Sequence, residues 1–218
     1  MRVPTPVFLA LVVVSAGVHE MASAQNQSSA EAEIAPEVGK AIQDLHHKDD
    51  QVRWKALEIL AKLGPKAAPA VPTLIRALDN DYDRYRAITV LGAIGPAAAP
   101  AVPPLLGRLT DTLSVEDPYR EEQTESMGII ETLAKIGPDA DAAIPLLRNA
   151  LKHRNSNVRY FAAYALGELG PNATVAIPDL EALQDDHEYV GLYVYPYGNN
   201  VGEVASRTLS KLRRTKTE

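Results

Sequence analysis

Apolar residues recur along the chain at helical spacing, in stripes that each end at the same punctuation. Val52, Ala56, Leu60 and Leu63 form one stripe, Ala87, Leu91 and Ile94 a second, and Val158, Ala162, Leu166 and Leu169 another. Steps of three and four residues place such side chains on a single helical face. Each stripe runs into a Gly-Pro pair: LAKLGP ends at Pro65, LGAIGP at Pro96, LAKIGP at Pro138 and LGELGP at Pro171. Gly at this point predicts a left-handed C-cap, and the Pro after it cannot extend the helix, so each pair is a stop signal with a mechanism. A second pattern follows every stop: AAPAVPTLIRAL from Ala67, AAPAVPPLLGRL from Ala98, DAAIPLLRNAL from Asp141 and TVAIPDLEAL from Thr174. Pro72, Pro103, Pro145 and Pro178 suit the first turn of a helix, where a missing N–H costs nothing. The residue before each Pro is pushed out of the α region. A tight turn and then a short helix are expected there.

The punctuation is periodic. Gly64, Gly95, Gly137 and Gly170 stand 31, 42 and 33 residues apart, and a degenerate fifth copy, VASRTLSKL, ends at Leu212 with Arg213 in place of Gly. Each unit reads as helix A, a turn, helix B and a stop, giving five pairs at about 31–63, 65–94, 96–136, 138–169 and 171–213. Two units carry about ten extra residues. One helix pair cannot bury its apolar face alone, whereas stacked neighbours can, so the prediction is an all-α solenoid. At roughly 8 to 10 Å between packed helices, five layers make an arc of about 40 to 50 Å.

The motif LGxxGPxAxxAVPxLxxxL followed by VRxxA resembles the HEAT-repeat family, and more narrowly its subgroup named after phycobilisome lyases. The resemblance covers the chain after about residue 33. It implies an armadillo-like superhelix and a protein-binding role, with another protein as partner.

Residues 1–24 read MRVPTPVFLALVVVSAGVHEMASA, with an early Arg2, an apolar run from Val7 to Val18, and Ala22 and Ala24 flanking Ser23. This is the form of a signal peptide cleaved after Ala24. The apolar run is shorter than the roughly 17 to 25 residues that span a bilayer, so no stable membrane insertion is expected after cleavage. The expected layout is signal peptide 1–24, flexible linker 25–32, repeat domain 33–213 and basic tail 214–218, in an exported protein, periplasmic or secreted. With no Cys there is no disulfide, so the chain must be held by packing alone. Composition adds one exclusion. The net charge of -6 works against phosphate backbones, so no nucleic acid is expected as a partner.

Enzymes of the wider family direct the search for chemistry. No residue marks a bilin-attachment site. A di-iron centre of the kind that several His-Glu pairs hold in related folds is not supported, because the pairs here are His19-Glu20 and His187-Glu188. No phosphate loop, GxSxG elbow or HExxH motif occurs. The expectation is a non-enzymatic chain with no cofactor. His46, His47 and His153 fall at predicted A-helix ends, where a cation suits the C-terminal dipole. His46 and His47 beside Asp49 and Asp50 could hold a metal, yet they have no spaced partner group.

Three features remain as candidate surface. Arg53, Arg84 and Arg159 occupy one repeat position, with Asp50 and Asp81 three residues before the first two. Asp-Arg pairs stitching neighbouring repeats are the favoured reading over an anion-binding stripe, since aligned unpaired cations would repel. Trp54, Tyr85 and Tyr160 share the next position, and with Phe161 and Tyr164 they could form an aromatic strip on the inner, B-helix side or pack between repeats. The two insertions fall between helix A and helix B and should emerge on one edge, which is where such loops often bind. The first carries Asp111, Glu116, Asp117, Tyr119, Glu121, Glu122 and Glu125. The second carries Tyr189, Tyr193, Tyr195 and Tyr197. Between them lies the turn His153, Arg154, Asn155, Ser156, Asn157. The acidic segment reads as a solvated loop that begins helix B, where acids suit the positive dipole end. The tyrosine segment reads equally as a hairpin capping the open end of the solenoid or as a contact loop. If both bind, they make a cleft with an acidic wall, an aromatic wall and a polar, basic floor.

Overall fold

The computed structural model describes residues 36–114, 121–190 and 200–215. The signal peptide, the linker, and the candidate residues Glu116, Asp117, Tyr119, Tyr193, Tyr195 and Tyr197 lie outside the described residues.

Ten helices follow one another among the described residues: α1 (36–44), α2 (Asp50–Leu63), α3 (Val71–Ala77), α4 (Arg84–Ile94), α5 (Val102–Leu113), α6 (Glu121–Ile136), α7 (Ile144–Ala150), α8 (Ser156–Leu169), α9 (Ile177–Glu181) and α10 (Val201–Thr215). Odd numbers are A helices and even numbers B helices. Each expected tight turn is a stretch of 3-10 helix, Gly64–Ala70, Gly95–Ala101, Gly137–Ala143 and Pro171–Ala176, and the A helix after it carries its Pro in the first turn. The stop glycines do have positive φ, but not in the expected left-handed helical well. Gly64 lies at φ 54 and ψ -127, Gly95 at 72 and -137, and Gly170 at 83 and -147. That mirror-extended region is closed to residues with a Cβ. It swings the chain sharply off the B-helix axis into the turn.

The B helices pack each against the next, α2 on α4, α4 on α6, α6 on α8 and α8 on α10, while α3, α5, α7 and α9 each lean mainly on the B helix of their own pair. Packing is closer in the B row than in the A row, which in a solenoid favours curvature toward the B helices. The expected stripes form its core: Ala56, Leu60, Ala87, Leu91, Ile94, Val158, Ala162, Leu166 and Leu169 are all buried, within one cluster that runs from Val38 to Leu212. Residues Arg84–Leu113 include a window of mean hydropathy 1.5 that could cross a membrane by length and composition. Gly95 breaks that stretch into α4 and α5, and 56% of the window is buried in the core.

Two B-helix interfaces are drawn tight by a threonine set against a glycine. Thr132 Oγ1 on α6 donates to the Ile88 carbonyl on α4 at 3.0 Å, and Thr208 Oγ1 on α10 donates to the Ala163 carbonyl on α8 at 2.9 Å. A Cβ on Gly92 would stand 2.9 Å from Thr132 Oγ1, and one on Gly167 3.0 Å from Thr208 Oγ1. The first insertion is spent mostly on helix. α5 has 12 residues against seven in α3 and in α7, and α6 has 16, so Asp111 and Glu125 sit in helices rather than in a loop. α10 continues to Thr215, past the expected domain end at 213, with Arg213 and Arg214 in its last turn.

Candidate protein-binding surfaces

The turns from helix A to helix B make one edge of the array, and an arginine near the start of a B helix organises three of them. Arg53 Nε meets Asp83 of the next repeat at 2.6 Å, its Nη2 meets Asp50 at 2.5 Å, and its Nη1 donates to the carbonyls of His47 and Lys48. The hydrogen bonds to Asp83 and then Asp50 hold its guanidinium further into the charged range than usual. Arg84 meets Asp81 at 2.5 Å, the Leu78 carbonyl at 2.7 Å and Glu125 of the next repeat at 3.9 Å. Arg159, only 8% exposed, meets Asp186 at 2.8 Å and Glu188 at 3.0 Å, and donates to the carbonyls of His153 and Arg154. Each guanidinium therefore ties its own turn to a carboxylate one repeat further on, while Asp50 and Asp81, the acids read from sequence as stitching repeats, pair within their own turn. The third unit has Ser126 at this position, and Arg108 of α5 reaches Glu125 instead, at 2.6 Å.

The His residues do sit at A-helix ends, but His153 does not serve there as a cation. His47 Nδ1 accepts the Asp49 N–H at 3.0 Å and His153 Nδ1 accepts the Asn155 N–H at 3.1 Å. Asp49 and Asn155 in turn cap α2 and α8 by accepting the N–H of Gln51 and Asn157. Burial, with the charges of Arg154 and Arg159 adding to it, pushes the His153 imidazole below its ordinary range. A neutral ring fits its role as an acceptor in the turn. Sequence spacing carries a signal for this: His47 and Arg53, like His153 and Arg159, stand six apart in HKDDQVR and HRNSNVR.

Two open grooves flank the turn at 152–154. One, of about 430 Å³, is lined by Leu113, Ser114, Asn149, Lys152, His153 and Arg154. The other, of about 520 Å³, lies between Lys152, His153, Arg154 and Arg159 on one side and Pro178, Asp179, Leu183 and Glu188 on the other. The basic floor of the expected cleft is thus described, with Lys152 added to it, while both expected walls fall largely at 115–120 and 191–199. Tyr189, at the start of the second insertion, is 67% exposed and bridges Asn200 in antiparallel fashion.

The aromatic strip on the B-helix side is broken. Trp54 and Tyr85 are 43% and 50% exposed, but Tyr160 is 1% exposed, packed edge-on to Phe161 with ring centroids 5.7 Å apart, and Tyr164 is half-buried. Tyr160 is therefore core, and no longer a candidate contact residue. What remains is a groove of about 370 Å³ between α2 and α4, floored by Leu57, Ala61 and Val90 and edged by Trp54, Glu58, Tyr85, Arg86 and Thr89. The Arg86 guanidinium lies 5.7 Å from the centre of the Trp54 ring. Glu58 is committed to Lys62 at 2.7 Å, which holds its carboxyl below the usual range. Arg86 and Thr89 were not singled out by sequence reasoning, because their role comes from the neighbouring helix. Among the described residues, no three His, Asp or Glu side chains are grouped to hold a metal ion.

Comparison with known proteins bears on the fold. A model described as HEAT repeats matches residues 38–128 and 119–191. No curated protein matches the chain. Among solved structures, the crystal structure of one engineered protein is similar at 23% identity and a TM-score of 0.54, over 81% of this chain and 47% of that one. A second engineered protein is similar at 17% identity and a TM-score of 0.42, over 82% of this chain and 97% of that one. The chain thus spans about half the length of the first of these. With the repeat motif, the stacked helix pairs and a family match over more than half its length in agreement, the chain belongs to the HEAT-repeat family.

Proposed function

We propose that this chain is an exported, non-catalytic scaffold that binds another protein through its concave B-helix face. One observation carries the reading: Trp54 and Tyr85, large aromatic side chains at the same position of successive B helices, are left open to solvent around one groove. Exposed aromatics grouped with an arginine are the composition of binding hot spots. Affinity capture from an extract of the host envelope tests it. The chain should retain a partner that Trp54→Ala/Tyr85→Ala loses, and equal retention by both would overturn the choice of face.

Export rests on residues 1–24, so N-terminal sequencing of the exported protein should begin at Gln25. Retention of Met1 would contradict it. The narrower resemblance, to the phycobilisome-lyase-type subgroup, rests on the GP and AVP motifs and supports an alternative role as a lyase-like or metal-dependent modifying enzyme. Stoichiometric metal or a bound chromophore in the purified protein would favour that alternative. The insertion-bearing edge is the second candidate surface, supported by the grooves beside Lys152, His153 and Arg154. If it were the contact, Arg154→Ser would release the partner and the aromatic double variant would not.

A further inference from the structure

We propose that His153 is a proton-operated latch on the last helix pair: with its ring neutral it fixes the turn to which α9 and α10 are fastened, and its protonation lets that pair separate from α8. Such a latch works whichever face binds a partner, and it acts on the insertion-bearing edge, because Tyr189 lies on the segment it restrains. The restraint is a set of bonds in series. His153 Nδ1 accepts the Asn155 N–H at 3.1 Å, Asn155 Oδ1 accepts the Asn157 N–H at 2.8 Å, and the Asn155 carbonyl accepts the Arg159 N–H at 3.2 Å. The turn so shaped offers the carbonyls of His153 and Arg154 to Arg159 Nη1 at 2.8 and 3.0 Å, which aims the other donors of the guanidinium at Asp186 and Glu188. Asp186 passes the restraint on. Its Oδ1 accepts the Glu188 N–H at 3.1 Å, and its carbonyl accepts the N–H of Gly202, in the first turn of α10, at 2.8 Å. Ser156 Oγ donates to the Tyr189 carbonyl at 3.3 Å. An added Cβ on Gly202 would collide with the Gln184 carbonyl, so α10 starts in backbone contact with this segment and follows it.

A proton on Nδ1 turns that acceptor into a donor, and two N–H groups then face each other across the 3.1 Å of the Asn155 bond. No acid lining either groove beside the ring is free to neutralise the new charge. α5 and α7 meet the first groove with Leu113, Ser114, Asn149 and Ala150, none of them charged. The cations of the turn and of α8 are Lys152, Arg154 and Arg159. Across the second groove, Asp179 of α9 is held by Arg148 at 2.6 Å and by Lys152 at 3.5 Å, and Glu188 is held by Arg159 at 3.0 Å. Burial, then the charges of Arg154 and Arg159, push the ring below its ordinary range, so acid favours a state in which the ring reaches water. The last pair is where that state is most easily reached, since a terminal repeat has one neighbour to leave.

Amide hydrogen exchange of the full chain, expressed as protection relative to the intrinsic rate at each pH, tests the latch. Glu188 and Gly202 should be less protected than the core of α6 at about pH 7.5. By about pH 5.5 their protection should fall a further tenfold or about that, the ratio given by a ring that titrates near 6.5 only when the pair is open. Mild urea should quicken their exchange less than that of α6, since opening one pair exposes less surface than unfolding the row. His153→Gln, whose amide oxygen can still accept the Asn155 N–H, should abolish the loss. His47→Gln should leave it in place, because His47 accepts the Asp49 N–H in the first turn, from an exposed position. The ring's own proton signals decide the matter even if His153→Gln does not fold: His153 should titrate below about 6.5, the value of a free imidazole. Titration at or above that value would overturn the latch. So would protection and urea dependence at Gly202 equal to those of α6, a Gly202 indifferent to pH, or the same loss in His153→Gln.

Discussion

Arg159 does more than any other single side chain to hold its turn, because one guanidinium satisfies two carbonyls of the turn at 153–154 and two carboxylates of the next repeat. Removing it leaves Asp186, itself largely covered, without its cation. Arg159→Ala should therefore cost about 3 kcal/mol in urea denaturation, and Arg159→Lys should recover less than half, since one ammonium cannot reproduce the planar fork. His153 beside it adds a pH dependence whose sign follows from burial. Its folded form resists protonation while the unfolded chain titrates near 6.5, so protons favour the unfolded state and stability should fall as pH drops from about 7.5 to 5.5. His153→Gln should flatten that part of the profile. An unchanged slope would mean that the ring is as accessible to protons folded as unfolded. At the α4–α6 interface, Gly92→Ala should cost about 1 to 3 kcal/mol by forcing Thr132 away. Added to Thr132→Ala it should cost less than it does alone, a non-additivity that a double-mutant cycle measures.

Much at this scale was legible in the chain. The Arg at a fixed repeat position pointed to cross-repeat pairing, although the Asp three residues before it pairs within the turn and the cross-repeat acid is a different one. The fate of the aromatics was not legible, because Trp54, Tyr85 and Tyr160 share a register position and differ only in what covers them. That cover comes from the adjacent B helix, some thirty to forty residues away, and a single stripe does not contain it.

At the scale of elements, helix type and order followed from apolar period and Gly-Pro punctuation, since the physics of both is local. Two details did not follow. The stop glycines take a mirror-extended rather than a left-handed helical conformation, which depends on how the 3-10 turn docks under the next pair. The first insertion became helix at both ends, because a run of Asp and Glu reads equally as loop or as an acidic N-terminal turn. The glycine geometry makes a prediction of its own. Gly95→Ala, at φ 72 and ψ -137, should cost about 1 to 3 kcal/mol although a Cβ there would meet nothing closer than 3.6 Å. A thermal midpoint equal to that of the unaltered chain would show that the turn relaxes to accept it.

The whole molecule is a curved row in which each pair completes the core of its neighbour, so no pair is a domain by itself. Two kinds of surface result: an edge of turns whose arginines are spent on structure, and an inner face where the first B helices leave Trp54, Tyr85 and Arg86 open. Repetition gives the chain its fold, and departures from repetition give it a candidate site. A methyl NMR titration with the captured partner separates the two surfaces most directly. Shifts at Leu57, Ala61 and Val90, with Leu113, Ala150 and Leu151 unmoved, are the expected result for binding in the α2–α4 groove. Shifts confined to Leu113, Ala150 and Leu151 would place the partner on the edge and contradict a binding site on the concave face.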